Sequence, residues 1–181
     1  MQRLFGKKTR NNQDIIEQII LQNYNKYYRL AYSYVHNEAD ASDIVQNSAY
    51  KALRSCQTLN CPEYAESWVY RIVLNECFNF FRQPRADSYE EMEEGAGEQA
   101  YTEDQYEDID LKRAIDGLEE QDKAVVILRF FEDMKLEEIA EILDENLNTV
   151  KSRLYRSIKK LRTVLADKQE QETEQNRKVG R

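Results

Sequence analysis

The stretch LEEIAEIL at 136–143, followed after a three-residue break by LNTVKSRLYRSIKKLRTVL at 147–165, decides how this chain is read. In the first segment Leu136, Ile139, Ala140 and Leu143 recur at helical spacing, with Glu137, Glu138 and Glu141 on the other face, so it is a helix built to pack. In the second, Val150, Leu154, Ile158, Leu161 and Leu165 form one stripe, and Lys151, Arg153, Arg156, Lys159, Lys160 and Arg162 surround it. Six bases without an acid match a phosphate backbone. Asn146 is placed to cap this helix by accepting from backbone donors near Thr149, which presents 148–153 at the helix N-terminus. A packing helix, a short turn and a basic helix form a helix-turn-helix pattern, and in that motif the exposed N-terminal end enters the major groove. A lone basic helix is more often a solvated surface; the pairing is what favours DNA.

Outward from this motif, five glycines and two prolines in 181 residues argue for an all-α chain with few tight turns, long enough for two small domains. The formal charge of -8 is local in origin. The segment 86–110 holds eleven of the 34 acids and no base, leaving 23 acids against 26 bases elsewhere. It reads as a self-repelling acidic linker containing Gly95 and Gly97. Before it, Ile15, Ile16, Ile19, Ile20, Tyr24, Tyr27, Tyr28, Ala31 and Tyr34 predict a first helix over 14–35. Ala41, Ile44, Val45, Ala49, Ala52 and Leu53 predict a second over 40–53, and 55–62 reads as a loop. Pro62 suits the first turn of a third helix ending near Arg82, with Ala65, Trp68, Val69, Ile72, Val73 and Phe80 inward and Pro84 barring its continuation. After the linker, short helices at 109–118 and 122–131 supply Leu111, Ile115, Leu118, Val125, Val126, Leu128 and Phe131 as a bed for the helix-turn-helix. The expected organisation is a flexible 1–12, an N-terminal helical domain at 13–85, the linker at 86–110, a four-helix C-terminal domain at 111–167 and a disordered tail at 168–181.

EEIAEIL followed by NTVKSRLYRSIKKLR resembles the promoter-binding helix-turn-helix of sigma-70 family RNA polymerase sigma factors, particularly the extracytoplasmic function (ECF) group, with TVKSRL at 149–154 as the most specific match. Two passages of the first domain carry the same resemblance independently. DASDIVQNSAYKAL, 40–53, is similar to the helix that docks on the β′ clamp helices of core RNA polymerase, which implies clamp contacts for Asp40, Asp43, Gln46 and Asn47. ESWVYRIVLNECFNFFRQPR, 66–85, is similar to the helix that reads and opens the minus-ten element, with Trp68, Arg71, Asn75 and Arg82 at matching positions. Tyr64, Phe78 and Asn79 join them as candidate minus-ten contacts, because stacked aromatic rings with nearby cations hold unpaired bases at about 1–3 kcal/mol each. Trp68 alone reads equally well as a core residue. By resemblance the loop 55–62 forms a pocket for a flipped base. In the helix-turn-helix the candidates for the minus-thirty-five element are Asn148, Thr149, Lys151, Ser152, Arg153, Tyr155, Arg156 and Lys159.

Departures from the family pattern are local. Asp144 and Asn148 stand at frequent glycine positions, Glu145 at an apolar one, Asn47 at a usual Glu, Asn79 at a usual Asp and Glu119 at a frequent proline. The resemblance covers about 15–165 and implies an alternative sigma factor that binds core RNA polymerase through the β′ clamp helices and β flap, selects promoter DNA and helps melt the minus-ten element. It further implies an anti-sigma partner, and a linker that either mimics RNA inside the polymerase or serves as a solvated spacer.

Other classes fit less well. A conventional helix-turn-helix regulator predicts tight DNA binding without polymerase, at a two-fold operator. An adaptor leaves the six bases unexplained. One histidine, no glycine-rich phosphate loop and no HExxH argue against an enzyme. His36 with Cys56, Cys61 and Cys77 makes only a loosely spaced candidate zinc set, so no metal or cofactor is expected. The chain offers neither a run of about 18 apolar residues nor an apolar core behind its basic N-terminus. A cytoplasmic protein with reduced thiols is expected, held at the membrane only through an anti-sigma factor.

Overall fold

A computed structural model describes the backbone of residues 2–82 and 103–179, and the side chains of 12–82 and 110–166. The described residues form seven α-helices and two 3-10 turns, with no strand. Helix α1 (Gln2–Val35) and α2 (Glu38–Ser55) meet at His36, whose left-handed φ of 52° reverses the chain. Asn37 caps α2 by accepting from the Asp40 N–H at 3.0 Å, and Glu38 and Asp40 sit at the positive end of its dipole. Two 3-10 turns, Cys56–Thr58 and Pro62–Tyr64, then lead into α3 (Ala65–Arg82). Buried Asn12 pins this loop by donating to the carbonyls of Cys56 (3.1 Å) and Leu59 (3.0 Å).

The three helices bury Ile16, Tyr27, Leu30 and Tyr34 of α1 against Ala41, Ile44, Val45 and Ala52 of α2 and Val69, Tyr70, Val73, Leu74, Cys77 and Phe78 of α3. The inward stripe of α3 therefore differs from the one read from sequence. Trp68, Ile72 and Phe80 pack at the margin of the core, while Tyr70, Leu74, Cys77 and Phe78 fill it. A helix gripped from more than one side buries a wider face than a single stripe shows, and α3 packs on α1, α2 and a later helix of the chain. Burial pushes the Cys77 thiol up to about 12, which makes it an inert packing group.

Helices α4 (Glu103–Asp116), α5 (Glu120–Phe130), α6 (Leu136–Leu143) and α7 (Leu147–Val179) make the second group. Every residue of 122–128 in α5 is buried, because α4, α6 and α7 surround it and α1 touches it from the first group. Leu111 and Phe131, expected in the bed, are exposed instead. Ala124, Val125, Ile127 and Leu128 of α5, Ile139 and Ile142 of α6 and Val150 and Leu154 of α7 are continuous with the core of the first three helices. The N-terminal and C-terminal helices thus pack directly on one another.

The ends of the chain differ from expectation in one respect. The backbone of 2–12 is helical within α1, and α7 runs on to Val179 where a disordered tail was expected. From 168 to 179 the tail holds no glycine or proline and is rich in Gln, Glu, Lys and Arg, all good helix formers. Of the acidic linker, 103–110 belongs to α4, and the rest lies outside the described residues.

Candidate nucleic-acid interface

The turn between α6 and α7 shows how the chain tolerates its unusual residues there. Asp144 takes the left-handed conformation (φ 57°, ψ 39°) that glycine usually supplies, as the known tolerance of Asp for this region allows. The Asp144 N–H donates to the Glu141 carbonyl (3.3 Å) and the Glu145 N–H to that of Ala140 (3.0 Å), the paired bonds that close a helix end. Asn146 then caps α7, its Oδ1 accepting from the Asn148 N–H at 2.8 Å. Glu145, in an apolar position by family pattern, receives two hydrogen bonds from Arg153, both 2.8 Å. The departure is therefore compensated within the motif.

Arg153 also donates to Asp122 at 3.0 Å, and Arg156 grips the same carboxylate through Nε (3.0 Å) and Nη2 (2.7 Å). Burial pushes the Asp122 carboxyl up, but hydrogen bonds from Arg156 and Arg153 outweigh it and hold the group below its usual range. Arg153 is correspondingly pushed up, first by its bonds to Glu145, against the opposing effect of burial. With its side chain only 21% exposed, Arg153 fixes α7 onto α5 rather than projecting freely. Asn148, Thr149, Ser152, Tyr155, Arg156 and Lys159 are exposed along one end of α7, and Lys151 is half-buried. This end can offer hydroxyls, an amide, a ring and cations to a groove.

On the N-terminal helices, a cavity of about 380 Å³ is bounded by Thr58, Leu59, Asn60 and Cys61 of the loop, and by Tyr64, Ser67, Trp68 and Arg71 around the start of α3. The structure thus brings the expected loop, ring and cation to one concavity. Trp68 packs against the core and also lines the cavity. Asn75, Asn79 and Arg82 are exposed further along α3. Asn79 donates to Glu76 (3.4 Å), which also pairs with Lys51 at 2.6 Å. Phe78 is placed differently from the sequence reading: it is 7% exposed and packs edge-on against Tyr34, because its register on α3 faces the core. On α2, Asp43, Gln46 and Asn47 are exposed on one face, with half-buried Asp40 one turn before Asp43.

Two acids of this region leave no local sign in the sequence. Glu141 and Asp144, from α6 and its turn, close the far wall of the cavity beside Arg71. Asp122 as the anchor of two arginines was equally hidden, because both relationships link residues distant in sequence.

A helical chain with a basic, capped helix-turn-helix and a separate aromatic and cationic pocket has the outline of a promoter-reading factor. Comparison with known proteins gives the family. Residues 19–86 match the model for sigma-70 region 2 and residues 108–161 that for sigma-70, region 4. RNA polymerase sigma factor SigV of Bacillus subtilis (strain 168) is 44% identical over 165 residues, which cover 88% of this chain and 96% of that protein. In fold, the chain is similar to CnrH, solved in complex with the cytosolic domain of CnrY (TM-score 0.65, 21% identity, 91% of this chain and 96% of that one). It is also similar to the sigma factor RpoE solved in complex with the anti-sigma factor NepR from Bartonella quintana (TM-score 0.59, 20% identity, 83% of this chain and 96% of that one). The chain belongs to the sigma-70 family of RNA polymerase sigma factors, in the ECF group, and directs RNA polymerase to promoters.

Proposed function

We propose a division of labour among three surfaces. The exposed end of α7, with Asn148, Thr149, Lys151, Ser152, Tyr155, Arg156 and Lys159, reads the minus-thirty-five element in the major groove, and Arg153 holds that helix in position. The cavity beside Tyr64, Trp68 and Arg71 takes an unstacked base of the minus-ten element, with Asn75, Asn79 and Arg82 along the neighbouring strand. Asp40, Asp43, Gln46 and Asn47 on α2 meet the β′ clamp helices of core polymerase. The C-terminal helices meet the β flap.

The observation that carries this reading is the cavity itself. Holding an unstacked base needs an aromatic face and a cation in a recess of nucleotide size, and Trp68 and Arg71 line one together. An anti-sigma factor is the expected protein partner, in keeping with the complex solved for the Bartonella quintana relative. The cytoplasm is the expected place of action; no described helix is long and apolar enough to cross a membrane.

Run-off transcription from a promoter library, with purified core RNA polymerase and with or without this protein, tests the assignment. Specific transcripts appearing only with the protein would reveal both promoter elements. Absence of stimulation, together with sequence-specific binding by the protein alone, would instead make it a conventional regulator.

A further inference from the structure

We propose that a second cavity, formed where α1 meets α4 and α5, is a binding site for a small planar aromatic anion, with ring-lined walls for its body and Lys112 and Arg113 for its acid group. It shares no residue with the DNA surfaces or the clamp face assigned above.

The cavity holds about 500 Å³, inside the span of about 300–1,000 Å³ usual for small-molecule sites. Its walls come from three helices. Tyr28 and Tyr32 stand one turn apart on α1, and His36 follows just beyond its end. The two tyrosine rings lie 17° from parallel with centroids 6.3 Å apart, and the His36 ring meets Tyr32 edge-on at 6.3 Å. Ile115 of α4, Ile127 of α5 and Phe131 at the end of α5 complete the apolar lining. Tyr32 and Phe131 stay 42% and 55% exposed, so packing of the chain on itself leaves both rings largely in water. Large exposed rings gathered at one recess mark a place that something else covers. Rings so arranged favour a flat π system, which gains from stacked and edge-on contact beyond the burial that an aliphatic chain would gain.

The charge of the site selects an anion. Asp116, the one acid among the described lining residues, already accepts from Lys123 at 2.6 Å and contacts His36 at 3.2 Å. Arg29, also in the lining, is paired with Glu132 at 3.1 Å. Lys112 and Arg113 differ from these. They are consecutive near the end of α4, exposed, and joined by no ion pair to another described residue. The uncommitted charge of the cavity is therefore positive. An arginine beside a lysine suits an acid group, the first as a two-donor fork and the second as a point charge. Because the ligand touches α1 on one side and α4 and α5 on the other, its binding adds to the stability of their packing.

Anilinonaphthalene sulfonate, a flat aromatic anion, tests the site on the full chain. His36 is the single histidine and lines the cavity, so its ring-proton NMR resonances report the wall directly. Titration should shift them saturably at one probe per chain, with a Kd of roughly 10–100 μM, as ordinary efficiency gives a ligand of about twenty heavy atoms. Combining Lys112→Gln with Arg113→Gln should weaken this binding at least about tenfold and leave thermal unfolding of the unliganded chain unchanged. Anilinonaphthalene, the same ring system without the sulfonate, should bind the unmodified chain at least about tenfold more weakly than the sulfonate. Absence of a saturable His36 shift overturns the proposal, even if the probe fluoresces elsewhere on the chain. Equal affinity of the double variant, or of the uncharged analogue, overturns it as well, because the cations would then not hold the acid group.

Discussion

The surface of α3 proposed for the minus-ten element and the surface of α7 proposed for the minus-thirty-five element both carry arginines held by acids, but the acids come from different places. On α7, Arg153 and Arg156 are tied to Asp122 and Glu145 of their own domain. On α3, Arg71 is tied to Asp144 and two carbonyls of the opposite domain. The first arrangement survives any movement between domains, and leaves Thr149, Ser152 and Tyr155 open. The second exists only while the domains touch. Similar chemistry thus serves as a fixed brace in one region and as a conditional contact in the other.

The largest expected effect separates both surfaces from polymerase binding. Asp43→Arg places a cation where the proposed clamp contact calls for an anion, and a like-charge clash across an interface costs several kcal/mol. Affinity for core polymerase should fall by roughly a hundredfold or more, measured by competition for core against the unmodified chain, while the folded state by circular dichroism is unchanged. Normal holoenzyme formation would remove α2 from the clamp assignment and leave the two DNA surfaces to account for all function.

Next comes the brace. Asp122→Ala leaves Arg153 and Arg156 without their shared partner, and charge-assisted hydrogen bonds of this kind are worth about 1.5–3 kcal/mol. Thermal unfolding should shift down by about 4–10 °C, and recognition of the minus-thirty-five element should weaken with it. If stability is unchanged while recognition is lost, Asp122 orients Arg156 for DNA and Arg153 is not a brace.

Alanine at the reading positions sharpens the contrast between surfaces. Trp68→Ala should reduce promoter opening by about 10- to 100-fold, the value of one stacked base, with promoter binding by the closed complex little altered. Lys151→Ala should instead weaken binding to the upstream element by about tenfold or less and leave the opening step alone. Permanganate reactivity at the minus-ten element and footprinting at the minus-thirty-five element distinguish the two. Equal loss in both assays from either variant would collapse the division between α3 and α7.

The parts legible in the sequence are those set by short-range pattern. The span 136–143 of α6 and the start of α7 at 147 follow from apolar spacing and the Asn146 cap, and the left-handed Asp144 from its place in the turn. Trp68 and Arg71 reach the same cavity because they lie one turn apart on α3. Contacts between distant segments left no such trace. Phe78 looked available on α3 until α1 placed Tyr34 against it. Leu111 and Phe131 looked like core positions, but α5 filled the interior with seven consecutive buried residues. The sequence pattern sets Glu141 only on the face opposite the apolar stripe of α6, and its meeting with Ser67 and Arg71 depends on how two domains pack.

The smallest effect tests the brace by pH. Asp122 faces Arg153 and Arg156, with Glu145 and Glu119 acting on those arginines from nearby. Its carboxyl is held below its ordinary value of 3.8, so the folded state favours the ionised form. The resulting stabilisation is complete above the unfolded-state value and is lost as pH falls through the lower folded-state value. Asp122→Asn lacks that titration. The stability gap between the two chains, measured by urea unfolding, should therefore be constant from pH 7 to about 5 and narrow below about 4. Burial opposes the arginines in setting this shift, which is why the narrowing is small. A gap that stayed constant down to pH 3 would mean that Asp122 gains nothing from its charge when folded, and the fixed brace would then rest on Glu145 and Arg153 alone.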